Sequence, residues 1–124
     1  MFTYHNANPR GRRVNDCTVR AVALATGNSW DMTYRELSEY AQKLCIMPDE
    51  VEYIDLYLDE NFDKICGCRE NPQKITVGEF VKNNPYGTYL ITMSGHITCA
   101  IDGCIYDTFN PSDRFIWGIY RVRR

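Results

Sequence analysis

The strongest constraint on the fold is the dipeptide Asp102-Gly103, which separates two short apolar runs at 96–101 and 104–108. A two-residue type I′ turn needs a positive φ at both central positions, and Asp-Gly is among the pairs that accept this conformation. The two runs are therefore predicted to be adjacent antiparallel strands. A two-residue turn also fixes the pairing register of the whole hairpin.

That register predicts that His96 and Asp107 lie close together. Residues that face each other across two strands share a face, and side chains alternate between faces along each strand. Thr98 then lies opposite Asp107, which makes His96 a diagonal neighbour of the acid. Asn110 falls on the other face, so Asp107 is the preferred partner of the histidine. A carboxylate bonded to one imidazole nitrogen fixes the tautomer and leaves the other nitrogen free to accept a proton from a thiol.

The rest of the chain predicts an α+β fold. Its 124 residues suit a single domain, 1–124, with a hydrophobic core. Residues 1–14 are expected to form an irregular N-terminal arm, and 61–75 carry no clear pattern. Helices that precede hairpin-linked strands favour N-terminal helices packed on a C-terminal antiparallel sheet. Apolar spacing and capping signals predict helices at 16–26, 29–45, 49–60 and 76–82, with further strands at 87–93 and 115–122.

Cys17 is the candidate nucleophile because it stands at the start of the first predicted helix. A thiolate at a helix N-terminus is stabilised by unsatisfied backbone N–H groups and by the positive end of the helix dipole. Cys45 lies near the end of a helix, where the dipole has the opposite sign. Cys99 and Cys104 are strand residues that point away from the face of His96. The remaining two cysteines fall within the stretch without a clear pattern.

The residues just before Cys17 carry two further expectations. Asp16 is expected to cap the helix and so to turn its carboxylate toward the helix amides rather than the thiol. Asn15 is a candidate donor to a developing oxyanion, together with the backbone N–H of Cys17. A turn or capping role for Asn15 is the alternative.

The order of Cys17, His96 and Asp107 along the chain resembles that of the catalytic residues in the papain-like cysteine peptidases. Cys17-Thr-Val-Arg-Ala opens a helix, and Gly95-His96 begins a hairpin that leads to Asp107. The chain looks most like the compact bacterial branches, namely the leader-peptide-cleaving domains of bacteriocin exporters and the NlpC-type cell-wall peptidases with their Asp-Cys start. The resemblance implies a papain-like fold with a Cys17–His96–Asp107 catalytic triad and no cofactor. The glutamine that usually precedes the cysteine in this family is missing, and Asn15 takes its place by proximity.

The resemblance implies a cysteine hydrolase, a thiol protease or an isopeptidase or amidase, that acts on a peptide or protein through a thioester intermediate. Amide transfer remains open, since an amine can accept the acyl group from a thioester. The alternative is a papain-like scaffold that is weak or inactive as a catalyst and binds or inhibits another protein. A structural zinc site is a third possibility, because the chain has six cysteines and two histidines, with Cys66 and Cys68 close together.

Composition excludes several other classes of function. A formal net charge of −2 gives no general attraction to nucleic acid or anionic lipid. No apolar run is long enough to span a membrane, and Met1 to Val14 has no apolar core of the kind found in signal peptides. A cytoplasmic location is therefore expected, with the cysteines as reduced thiols. A disulfide framework would be the alternative if the protein were exported.

Overall fold

The computed structural model describes residues 1–48, 50–67 and 74–123. It confirms the α+β class, with four helices and a six-stranded sheet in this part of the chain. Among the described residues, no helix combines the length and the apolarity needed to cross a bilayer. The elements in chain order are β1 Phe2–Tyr4, α1 Cys17–Thr26, α2 Trp30–Lys43, α3 Val51–Asn61, β2 Asp63–Gly67, α4 Val77–Asn83, β3 Thr88–Met93, β4 His96–Ile101, β5 Cys104–Asp107 and β6 Gly118–Val122.

The sheet has the strand order β1-β5-β4-β3-β6-β2 and is mixed rather than antiparallel. The prediction of an antiparallel sheet was wrong at one edge, where β1 runs parallel to β5. The irregular arm expected over 1–14 needs the same correction, because Phe2–Tyr4 is a strand. β1 satisfies backbone groups along the edge of β5, with a bond from the Ile105 N–H to the Met1 carbonyl and one from the His5 N–H to the Asp107 carbonyl. A strand of three residues is too short to show a period-2 pattern in the sequence.

The hairpin that joins β4 and β5 forms in the predicted register. Ile101 pairs with Cys104, and Cys99 pairs with Tyr106. The turn residues Asp102 and Gly103 have φ values of 48° and 79°, as a type I′ turn requires. The Asp102 carboxylate also accepts a hydrogen bond of 2.9 Å from the Gly87 N–H, which ties the turn to the start of β3.

The stretch without a clear pattern, 61–75, contains β2, a second strand that the sequence did not indicate. β2 pairs antiparallel with β6 at the other edge of the sheet. Its register shifts between Lys64 and Cys66, and such an irregularity breaks the alternation by which a strand is recognised. The helix expected to start after Thr76 does form, and Thr76 and Glu79 make the predicted capping box.

Two hydrophobic clusters hold the helices on the sheet. One contains Val22 of α1, Leu37 of α2 and Leu58 of α3, packed with Leu90 and Cys99 of the sheet. The other joins α4 to strands β3 to β6. α1 packs chiefly against β4. This packing brings the N-terminus of α1, where Cys17 lies, to the start of β4, where His96 lies.

Candidate active site

The candidate nucleophile, Cys17, is the first residue of α1, as the sequence predicted. Its side chain is partly buried and packs against the cluster under α1. The first turn of a helix has free backbone N–H groups and a positive end of the dipole, and both stabilise a negative sulfur. Cys17 is therefore placed where a thiolate is favoured.

His96 and Asp107 are in contact, as the hairpin register predicted. The His96 Nε2 atom lies 2.7 Å from the Asp107 Oδ2 atom, and the two side chains are only 7% and 3% exposed. The other ring nitrogen, Nδ1, is then free to face a second group. The Cys17 thiol and the His96 ring line the same cavity, and the imidazole lowers the pKa of the thiol.

The electrostatics of the three residues favour an ion pair between sulfur and imidazole. Burial alone would raise the pKa of the Cys17 thiol, but the interaction with His96, the backbone N–H of Ile97 and the charge of Arg20 lower it below its ordinary value. Burial would lower the pKa of His96, but Asp107 and Cys17 raise it to about 9. A thiolate beside an imidazolium is the state that these shifts favour.

Asp107 is held ionised inside the protein. Burial would raise the pKa of this carboxyl, but the bond with His96, the nearby Thr98 hydroxyl and the backbone N–H of Thr108 lower it below its ordinary value. The Thr108 N–H donates to the Asp107 Oδ1 atom at 2.7 Å. The Thr98 hydroxyl is buried, and among the described residues it has no hydrogen-bond partner of standard geometry.

Arg20 connects the start of α1 to the acid of the site, and the sequence analysis missed it. Its Nε atom lies 2.7 Å from the Asp16 Oδ1 atom, and its Nη1 atom lies 3.3 Å from the Asp107 Oδ1 atom. Nη1 also donates to the Thr108 hydroxyl at 3.3 Å. The i,i+4 spacing of Asp16 and Arg20 was a usable signal for the first bond. The second joins residues 87 positions apart and has no local signal.

Asp16 does not cap α1 with its side chain, and that expectation was wrong. Its carboxylate instead accepts bonds from Arg20, from the Trp30 Nε1 atom at 3.0 Å and from the Asn8 Nδ2 atom at 3.2 Å. A bond to a guanidinium is charge-assisted and stronger than a bond to a backbone amide, which explains the preference. The carboxylate is thus held by three donors, and its side chain leaves the first amides of α1 uncapped.

The structure puts the two amide candidates in different places. Asn15 is exposed and lines the same cavity as Cys17 and His96, which keeps it available as an oxyanion donor. The side-chain oxygen of Asn110 accepts hydrogen bonds from the backbone N–H and the hydroxyl of Ser112, within the loop after β5. Phe109, which the hairpin register puts on the face of His96, lies against the imidazole with ring centroids 4.6 Å apart at a tilt of 45°. Its ring covers one face of the imidazole.

The described residues hold no group of three or more His, Cys, Asp or Glu side chains that could bind a metal ion. Cys68, one half of the possible zinc pair, lies outside the described residues. The five described cysteines, 17, 45, 66, 99 and 104, are free thiols. In comparisons with known proteins, no family model, curated protein or solved structure matches this chain. Its function is therefore inferred from the geometry of the site.

Proposed function

We propose that this protein is a cysteine hydrolase of the papain-like type, which cleaves an amide in a peptide or protein through a thioester intermediate. One observation carries the proposal: a thiol at the start of a buried helix shares a cavity with a histidine that is bonded to a buried carboxylate at 2.7 Å. The chemistry needs a reduced thiol, so the proposal includes a cytoplasmic location.

In the first half of the reaction, the Cys17 thiolate attacks the amide carbonyl carbon and a C–S bond forms. The carbonyl oxygen becomes an oxyanion near the uncapped amides of α1, with the backbone N–H of Cys17 and the Asn15 amide as donors. The His96 imidazolium gives its proton to the leaving nitrogen, the C–N bond breaks, and the amine departs. The product of this half is a thioester on Cys17.

In the second half, neutral His96 accepts a proton from a water molecule, and the resulting hydroxide attacks the thioester carbon. The C–S bond breaks, the carboxylic acid product leaves, and the thiolate–imidazolium pair is restored. Asp107 stays ionised throughout, orienting the ring and stabilising the imidazolium. An amine that reaches the thioester in place of water would give amide transfer by the same steps.

The test is the relative rate of alkylation by iodoacetamide at pH 6. Cys45 is an exposed thiol and provides an internal reference within the same molecule. Because a lowered pKa raises the thiolate fraction, Cys17 should react at least about 10-fold faster than Cys45 although it is partly buried. His96→Ala should remove this advantage, and Asp107→Asn should reduce it.

Equal labelling of Cys17 and Cys45 in the wild-type protein would contradict the proposal. That result would favour the alternative, a papain-like scaffold that binds or inhibits another protein. Asp16, whose charge beside the thiol would oppose catalysis and so favour this alternative, is paired with Arg20 at 2.7 Å.

A further inference from the structure

We propose that the substrate carries a bulky, uncharged, apolar group beside its reacting amide and that this group binds in a cavity next to Cys17. This inference rests on the proposed hydrolase function and adds the chemical class of the substrate. It follows from the size of the cavity, the nature of its walls and the distribution of charge around it.

The cavity has a volume of about 470 Å³ and is lined by both Cys17 and His96. Pockets of this size lie in the range that holds small organic ligands or one large side chain with its backbone. A group bound in the cavity therefore lies directly beside the position where the thiolate would attack. A small residue such as glycine or alanine would leave most of this volume to water.

The walls of the cavity are mainly apolar and aromatic. Trp30 and Tyr34, one turn apart on α2, stack with ring centroids 5.1 Å apart and an interplanar angle of 17°. Tyr34 is 52% exposed, so it stands at the solvent side of the wall, whereas Leu37 and Tyr53 are fully buried. The main apolar residues of the lining are Trp30, Tyr34, Leu37, Tyr53, Ile54 and Met93.

The charge around the cavity disfavours an ionic group. Apart from the catalytic pair, Asp16 is the only ionisable acid or base among the described lining residues, tyrosines aside. Its carboxylate already accepts bonds from Arg20, Trp30 and Asn8. The described residues that line the cavity include no Lys or Arg that could pair with an acidic group. A charged substituent would lose water here without gaining a partner, whereas an apolar one gains by burial.

The inference is tested with three iodoacetamide derivatives that differ only in the substituent on nitrogen: benzyl, 2-carboxyethyl and 2-aminoethyl. In each case the thiolate displaces iodide, so a C–S bond forms, a C–I bond breaks and iodide leaves. The ratio of rates at Cys17 to those at Cys45 corrects for intrinsic reactivity. We expect a normalised preference for the benzyl reagent of at least about 10-fold over the carboxyethyl reagent, the gain expected from burying one aromatic side chain.

The variant Tyr34→Asp places a carboxylate on the cavity wall, which attracts the aminoethyl group and repels the carboxyethyl group. The advantage of the benzyl reagent over the aminoethyl reagent should fall about 10-fold, and the aminoethyl reagent should gain relative to the carboxyethyl reagent. Tyr86→Asp is the matched control, because Tyr86 is 80% exposed and does not line the cavity. It should leave all normalised ratios unchanged.

The outcomes separate this inference from the proposed function. If Cys17 reacts fast with plain iodoacetamide but shows no preference among the three derivatives, the substrate class is wrong and the hydrolase proposal stands. If Cys17 is no faster than Cys45 with any reagent, both are overturned. If Tyr34→Asp leaves the benzyl preference over the aminoethyl reagent intact, the placement of the apolar group in this cavity is overturned.

Discussion

At the scale of single residues, the site depends on how two carboxylates are kept in separate roles. Asp107 bonds His96, whereas Asp16, which directly precedes the nucleophile, would raise the thiol pKa if its charge were free. Arg20 bonds both carboxylates and so gives Asp16 a positive partner. A single guanidinium therefore protects the thiolate from its neighbour in the chain and supports the acid that orients the histidine.

Replacing Arg20 by methionine should slow the alkylation of Cys17 at pH 6 by about 3- to 10-fold, since the thiol pKa rises by up to about one unit when a nearby positive charge is lost. The rate is measured with iodoacetamide and mass spectrometry of the Cys17 peptide. Asp16→Asn added to Arg20→Met should recover part of the rate, because it removes the uncompensated carboxylate. If the double variant is as slow as the single one, Arg20 does not act through Asp16.

The raised pKa of His96 should be visible directly by NMR. Its ring resonance should titrate at about 9, because Asp107 and the Cys17 sulfur stabilise the imidazolium. In Asp107→Asn the midpoint should move down toward the ordinary value of 6.5. The other histidine, His5, is assigned by its disappearance in His5→Gln. A wild-type His96 that titrates near the ordinary value would contradict the ion pair.

At the scale of elements, the turn of the β4–β5 hairpin positions the pair of His96 and Asp107. Gly103 has a φ of 79°, and a Cβ added there would meet the Pro85 backbone at 3.5 Å, an ordinary contact. The need for glycine is therefore conformational rather than a matter of space. Only the left-handed conformation of this turn keeps the register in which the two side chains share a face.

Gly103→Ala should destabilise the protein by about 1 kcal/mol, since a Cβ is unfavourable at positive φ. Gly103→Asn should cost less, because asparagine tolerates the left-handed region better than alanine does. Free energies of unfolding from urea denaturation provide the comparison. Equal losses for the two variants would show that the cost arises from contacts and not from the backbone conformation.

The sequence predicted those parts of the site that rest on local patterns. The hairpin register follows from two turn residues, and the start of α1 follows from a polar segment that leads into an apolar helix. The pairing of β1 with β5 and the bond from Arg20 to Asp107 were missed, because each joins distant parts of the chain and leaves no periodic pattern. The wrong role for Asp16 has a different cause: a nearby guanidinium competed successfully with the helix amides, and helix-capping preferences take no account of such a partner.

At the scale of the whole molecule, the buried pair of His96 and Asp107 links stability to pH. The folded pKa of Asp107 is lowered, so its contribution is present above the ordinary value of 3.8 and is lost as the pH falls through the lower folded value. The folded pKa of His96 is raised, so its contribution is complete below 6.5 and is lost as the pH rises through about 9. The pair therefore stabilises the fold most between pH 3.8 and pH 6.5.

The stability advantage of the wild-type protein over Asp107→Asn should be largest near pH 5 to 6. This advantage should shrink at low pH, where Asp107 becomes protonated, and at pH 9 and above, where His96 becomes neutral. Urea denaturation of both proteins across this range gives the difference in the free energy of unfolding. A difference that does not change with pH would mean that Asp107 stabilises the fold by packing or neutral hydrogen bonds alone.

The long separation between Arg20 and Asp107, 87 positions in the chain, has a consequence for biosynthesis. While the ribosome is still adding the second half of the protein, Cys17 has neither the imidazole of His96 nor the carboxylate of Asp107 near it. An unfinished chain thus exposes an ordinary thiol to the cell's electrophiles and oxidants. The lowered pKa of the thiol depends on His96, so it requires the β4–β5 hairpin to have packed against α1.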